Sequence, residues 1–76
     1  MEEDWLSYDG VEAIPGKVSG VPVIKGTRVQ AELVAECLDD GESVETIAST
    51  YAGLKPVDIL RFKLSRDSHR MAALQR

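Results

Sequence analysis

Val21, Val23 and Ile24 form a β-branched stretch, but Pro22 among them has no N–H to donate. Such a strand lies at a sheet edge, or begins at its proline. Lys25-Gly26-Thr27-Arg28 follows as a tight turn, with Gly26 free to take a positive φ. Upstream, Val11-Glu12-Ala13-Ile14 reads as a second short strand stopped by Pro15-Gly16, and Val29 extends the ribbon past the turn. A two-stranded ribbon is marginal by itself, so it must lie on other elements or pair with a second subunit.

Those other elements are three helical patterns. Gln30 to Asp40 places Leu33, Val34, Cys37 and Leu38 on one face, with Glu32, Glu36, Asp39 and Asp40 on the other, and Gly41 suits the position after the helix end. Ser43 is a favoured N-cap for a second helix, with Glu45 in its first turn and Val44, Ile47, Ala48 and Tyr51 as its apolar stripe. Ala52-Gly53-Leu54-Lys55 breaks the pattern, and Pro56 opens a third helix running to about Leu74 with fraying after Ser68. The expected class is mainly α: a short N-terminal β-ribbon (11–29) followed by a three-helix, helix-turn-helix domain (30–76), behind an N-terminal arm (1–10). Trp5 and Tyr8 are the arm's candidate anchors onto a neighbour.

Size then bears on oligomeric state. A chain of 76 residues buries only about 60% of its unfolded surface. Its single cysteine, Cys37, allows no internal disulfide and reads as a small buried hydrophobe. Stabilisation by a second copy, a homodimer, is the expectation. No apolar run reaches the roughly 18 residues that span a bilayer, and the acidic start Met1-Glu2-Glu3-Asp4 is unlike a signal peptide. No membrane association is expected, and a cytoplasmic location is.

The net charge of −4 argues against nucleic acid, but its distribution does not. Residues 1–16 carry five acids and no base, residues 31–54 six acids and no base, whereas residues 55–76 carry six bases against Asp58 and Asp67. Such polarity suits either a polyanionic partner or internal neutralisation of the last helix by the first. The candidate DNA contacts are Lys55, Arg61, Lys63, Arg66 and Arg70 on the last helix, with Lys25 and Arg28 on the turn. For Arg28 the competing role is an ion pair with an acid of the first helix.

The last helix carries two apolar sides: Val57, Leu60, Leu64 and Met71 on one, Ile59 and Phe62 nearly opposite. A helix-turn-helix asks for Ile59 and Phe62 inside, against Ile47 and Ala48; with the other side as core, Lys63, Arg66 and Arg70 lie with Ile59 on the open side as a phosphate-binding strip. The sequence does not choose between these registers, and two apolar sides suggest that one of them meets another chain. His69 stands without a clustered cysteine or carboxylate, no Gly-rich phosphate loop is present, and neither an enzyme nor a cofactor or metal site is expected.

Pro22 to Arg28, followed by Leu33-Val34, Asp40-Gly41-Glu42-Ser43 and Tyr51-Ala52-Gly53-Leu54, resembles the domain-of-unknown-function 433 family over roughly residues 11 to 64. The chain departs from that family's pattern at Ser19-Gly20 (two glycines in the family), at Ala52 (proline), and at Arg61-Phe62-Lys63-Leu64 (a small-aliphatic run). Members look like VapB-type antitoxins. The resemblance implies a dimeric DNA-binding protein that represses its own promoter and neutralises a cognate PIN-like ribonuclease toxin. In that setting Arg66, Arg70 or Arg76 would face the toxin's acidic metal site. The alternative is a dimeric protein–protein interaction module that does not bind DNA.

Overall fold

A computed structural model describes residues 4–74. The order is β1 (Val11–Glu12), β2 (Val23–Ile24), α1 (Ala31–Asp39), α2 (Val44–Thr50) and α3 (Pro56–Leu74), with single 3-10 turns at Trp5–Ser7 and Val18–Gly20. Mainly helical architecture behind a short ribbon is therefore the observed class.

The ribbon is antiparallel, with Val11 opposite Ile24 and Glu12 opposite Val23. It is shorter than the apolar runs because the turn chemistry ends it. Thr27 Oγ1 donates to the Ile24 carbonyl at 2.8 Å and accepts from the Val29 N–H at 3.1 Å, closing the turn around Gly26 at φ +81°. Glu12 braces the same turn, accepting from the Gly26 N–H at 3.0 Å and from Lys17 Nζ at 3.3 Å. The Gly26 N–H is the main cause holding the Glu12 carboxyl below its ordinary pKa. Past the turn, the Val29 carbonyl accepts from Ile24, and Pro22 contributes its carbonyl to the Ala31 N–H at 3.1 Å, which fastens ribbon to helix.

Helix ends follow their residues. At the end of α1, the Glu42 N–H bonds the Cys37 carbonyl and the Gly41 N–H bonds the Leu38 carbonyl, a Schellman closure that needs Gly41 at φ +86°. Ser43 Oγ caps α2 by accepting from the Thr46 N–H at 3.2 Å. At the start of α3, Asp58 reaches back to the Lys55 N–H in a long 3.4 Å contact, so this acid serves the helix start.

The core gathers Tyr8, Ile24, Ala31, Val34, Ala35, Ile47, Leu54, Ile59 and Phe62, with Trp5, Val44, Ala48, Cys37 and Tyr51 packed at its border. On α1 the buried line is Ala31, Val34 and Ala35, while Leu33, expected inside, is exposed. The two small alanines let α1 approach β2 and α3, a fit that a leucine at either position would block. Cys37 is half-buried beside the Tyr51 hydroxyl at 4.0 Å, and burial raises its thiol pKa, which suits packing and not nucleophilic chemistry.

Residues 4–10 fold back on their own chain. Tyr8 is 9% exposed and meets the Phe62 ring edge-on at 5.8 Å and the His69 ring at 4.9 Å, while Trp5 lies 6.3 Å from Phe62. The anchors expected to reach a neighbour are seated on α3 instead. The physical reason is local: Phe62 alone leaves its end of the core open, and two aromatics close it.

Candidate functional site

The surface that carries the candidate residues is α3 with the turn before it. α2 and α3 are joined through Tyr51 to Lys55, where Gly53 takes φ +82° and the Leu54 N–H bonds the Tyr51 carbonyl at 3.2 Å. Ile59 and Phe62 point inward with no exposed surface, against a core that includes Ile47 and Leu54. That choice of register turns the other apolar side outward.

Seven basic residues were expected to form the site, and the structure separates them. Arg66 is 4% exposed, inside the fold. Its Nη1 and Nη2 donate to Asp39 Oδ1 and Oδ2 at 2.9 and 3.1 Å, a two-pronged ion pair, while its guanidinium carbon stands 5.7 Å from the Trp5 ring. Arg70 adds a 3.4 Å contact to the same carboxylate. Arg66 is the chief cause of the Asp39 carboxyl lying below its ordinary pKa. Lys63 bonds Asp67 one turn on, at 3.1 Å.

Lys55, Arg61, Lys25 and Arg28 are exposed. Arg28 has no ion-pair partner among the described residues, so the pair with the first helix is not made. The acid that does neutralise α3 is Asp39 on α1, reaching Arg66 and Arg70 instead. Arg76 lies outside the described residues. Ser65 to Leu74 continue α3 without a break, so the segment expected to fray is helical throughout its described length.

Arg61 is positioned by more than its own helix. Gly10 lies beside the arginine stem, an added Cβ standing 3.4 Å from Arg61 Cδ at ordinary contact distance, and its φ of +79° is what favours glycine there. Beside it, Asp9, Arg61, Leu64, Ser65, Ser68 and His69 line an open cleft of about 420 Å³. The Asp9 N–H donates to Ser65 Oγ at 3.0 Å, tying the N-terminal segment to its wall. Among the described residues, no group of three or more His, Cys, Asp or Glu side chains is placed to hold a metal ion. No described helix is long and apolar enough to cross a membrane.

The remaining feature is apolar. Val57, Leu60, Leu64 and Met71 stand between 45% and 60% exposed along one line of α3. The sequence displayed both stripes, but only the packing of α2, α1, Trp5 and Tyr8 against α3 decides that Phe62 and Ile59 are the inner one. Neutralisation of the last helix by the first was one of the two readings of the charge pattern, and Asp39 makes it; that Arg66 turns inward to meet an acid 27 residues away was not legible.

The family described as Protein of unknown function (DUF433) matches residues 11–62, and the chain belongs to that family. No curated protein and no solved structure matches it.

Proposed function

We propose that this DUF433 member is an antitoxin-like, DNA-binding protein of the cytoplasm that works as a homodimer, represses its own promoter and neutralises a cognate PIN-like ribonuclease toxin. The observation that carries the DNA-binding part is the α2–turn–α3 pair, closed inward on Ile47, Leu54, Ile59 and Phe62 with Lys55 exposed at the α3 start. The N-terminal end of the second helix of such a pair is the part that meets base edges and backbone in a major groove. Exposed Lys25, Arg28 and Arg61 add positive charge outside the core. Lys63 and Arg70 reach phosphate only by leaving Asp67 and Asp39, and Arg66 serves the fold.

The test is binding of the purified chain to its own upstream promoter fragment at two salt concentrations. Tight, promoter-selective binding that weakens steeply with salt is expected. Absence of binding at low salt, even with the neighbouring gene's product added, overturns the DNA-binding part. The second reading, an interaction module that only sequesters a protein partner, is favoured by the exposed apolar line on α3 and by the net charge of −4.

A further inference from the structure

We infer that the outward line of α3, Val57, Leu60, Leu64 and Met71, docks on the same line of a second copy, with the two helices antiparallel. The inference rests on the dimeric part of the proposed function and assigns its surface. The four side chains are half-exposed on the side of α3 away from the buried Ile59 and Phe62, so the line is not a spill-over of the core.

Their spacing is three, four and seven residues, the 3–4 alternation of a coiled-coil seam, with Asp67 at the one skipped position. Asp67 decides the orientation. A parallel pair sets like seam positions side by side and would press the two Asp67 carboxylates together. An antiparallel pair sets Leu60 by Met71 of the other copy and Leu64 by its Asp67, which brings each Asp67 beside Lys63 of the other helix. Lys63 and Asp67 already bond at 3.1 Å within the chain, and Arg70 on the same flank is engaged with Asp39. That flank therefore carries little net charge, and two copies meet there without strong repulsion.

The same register has a consequence for DNA. It sets the two Lys55 residues about 21 helix positions apart, roughly 30 Å at ~1.5 Å per residue. Half-sites on successive turns of a duplex are about 34 Å apart. The flanks of α3 are partly covered in such a pair, and DNA contact falls to Lys55, Lys25 and Arg28.

Four side chains make less than the about 800 Å² per partner of a standard interface, so the pair is expected to dissociate on dilution. Sedimentation equilibrium from micromolar to about 1 mM chain is the experiment. Expected are a concentration-dependent dimer for the wild type and a monomer of unchanged helicity for Leu64→Lys. Met71→Lys is expected to act likewise, which separates loss of the contact from loss of fold. Mixing Leu60→Cys and Met71→Cys chains, each also Cys37→Ala, is expected to give the mixed disulfide under mild oxidation. A Leu64→Lys chain that dimerises as the wild type does overturns the surface and leaves the dimer itself standing. Homodisulfides alone overturn the orientation, and a wild type monomeric throughout overturns both surface and dimer.

Discussion

Arg66 on α3 grips Asp39 on α1 through both terminal guanidinium nitrogens, at 2.9 and 3.1 Å, with the arginine buried and the carboxylate half-exposed. The pair joins the first and last helices at a point where the sequence shows only an acidic helix and a basic one. Removing the acid leaves a buried guanidinium with a lost two-pronged contact, whereas removing an exposed surface charge costs little. Asp39→Ala is expected to lower stability by about 1–3 kcal/mol in urea denaturation, the half-exposed carboxylate keeping the loss below that of a fully buried pair. Lys63→Ala, which breaks an exposed i,i+4 pair, is expected to cost about 0.5 kcal/mol or less.

The same contact sets an acid limit. Arg66 holds the Asp39 carboxyl below its usual value of 3.8, so the folded state binds this proton less readily than the unfolded chain does. Stabilisation from that difference is complete above the unfolded value and is lost as pH falls through the folded one. Stability measured between pH 7 and 2 is expected to fall below about pH 4 more steeply in the wild type than in Asp39→Asn. Parallel curves for the two proteins would show that Asp39 contributes nothing to the acid limb.

Tyr8 closes the core from outside the ribbon and helices. Its ring is 9% exposed between Phe62 and His69, and Trp5 stacks edge-on against it at 6.2 Å. Tyr8→Ala is expected to cost about 3 kcal/mol, in line with aromatic truncation in a packed core. Leu6→Ala, two residues earlier and mostly exposed, is expected to change stability by about 0.5 kcal/mol or less.

What the residues alone disclosed, and what they did not, divides by range. Gly41, Ser43 and Pro56 act within a few residues of themselves, so the ends of α1 and starts of α2 and α3 were legible. Trp5 and Tyr8 were noticed as anchors, but their target was not, because an aromatic pair near a terminus fits its own core as well as a neighbour's. The inner face of α1 was misplaced toward Leu33 because hydropathy rewards leucine over alanine, while close packing at Ala31 and Ala35 rewards the smaller residue. The register of α3 had two answers of similar apolarity, and only the elements packed against it select one. Arg66 changed from candidate phosphate ligand to structural ion pair on that selection alone.

Val18 and Ser19 take positive φ values of 50° and 56°, ahead of Gly20 at 76°. An L-residue pays roughly 1–2 kcal/mol for that conformation, and glycine recovers most of it while losing about 0.5–1 kcal/mol to unfolded-state freedom. Ser19 is exposed, so its side chain contributes no packing to forfeit. Ser19→Gly is expected to raise stability by about 0.5 kcal/mol, and Ser19→Val, whose branched Cβ suits this region poorly, to lower it by about 1 kcal/mol. Thermal melts of the three proteins in one buffer decide the order; a melt of Ser19→Gly below the wild type would show that Ser19 stabilises its turn.

Lys55 and Arg66 stand on one helix and are expected to answer differently when DNA binding is measured. Lys55 is exposed at the helix start and its side chain has no ion-pair partner among the described residues, so its loss removes charge and leaves the fold intact. Under the DNA-binding reading, Lys55→Ala is expected to weaken promoter binding and to reduce the slope of log affinity against log salt by about 1 per chain. Arg66→Ala instead releases Asp39 and opens the core border, so binding is lost only in step with the folded fraction, and the salt slope of the folded remainder stays as in the wild type. Titrations at three salt concentrations, each corrected for the folded fraction by circular dichroism, separate the two. A reduced slope for Arg66→Ala with its stability unchanged would return that arginine to the DNA surface and contradict its structural role.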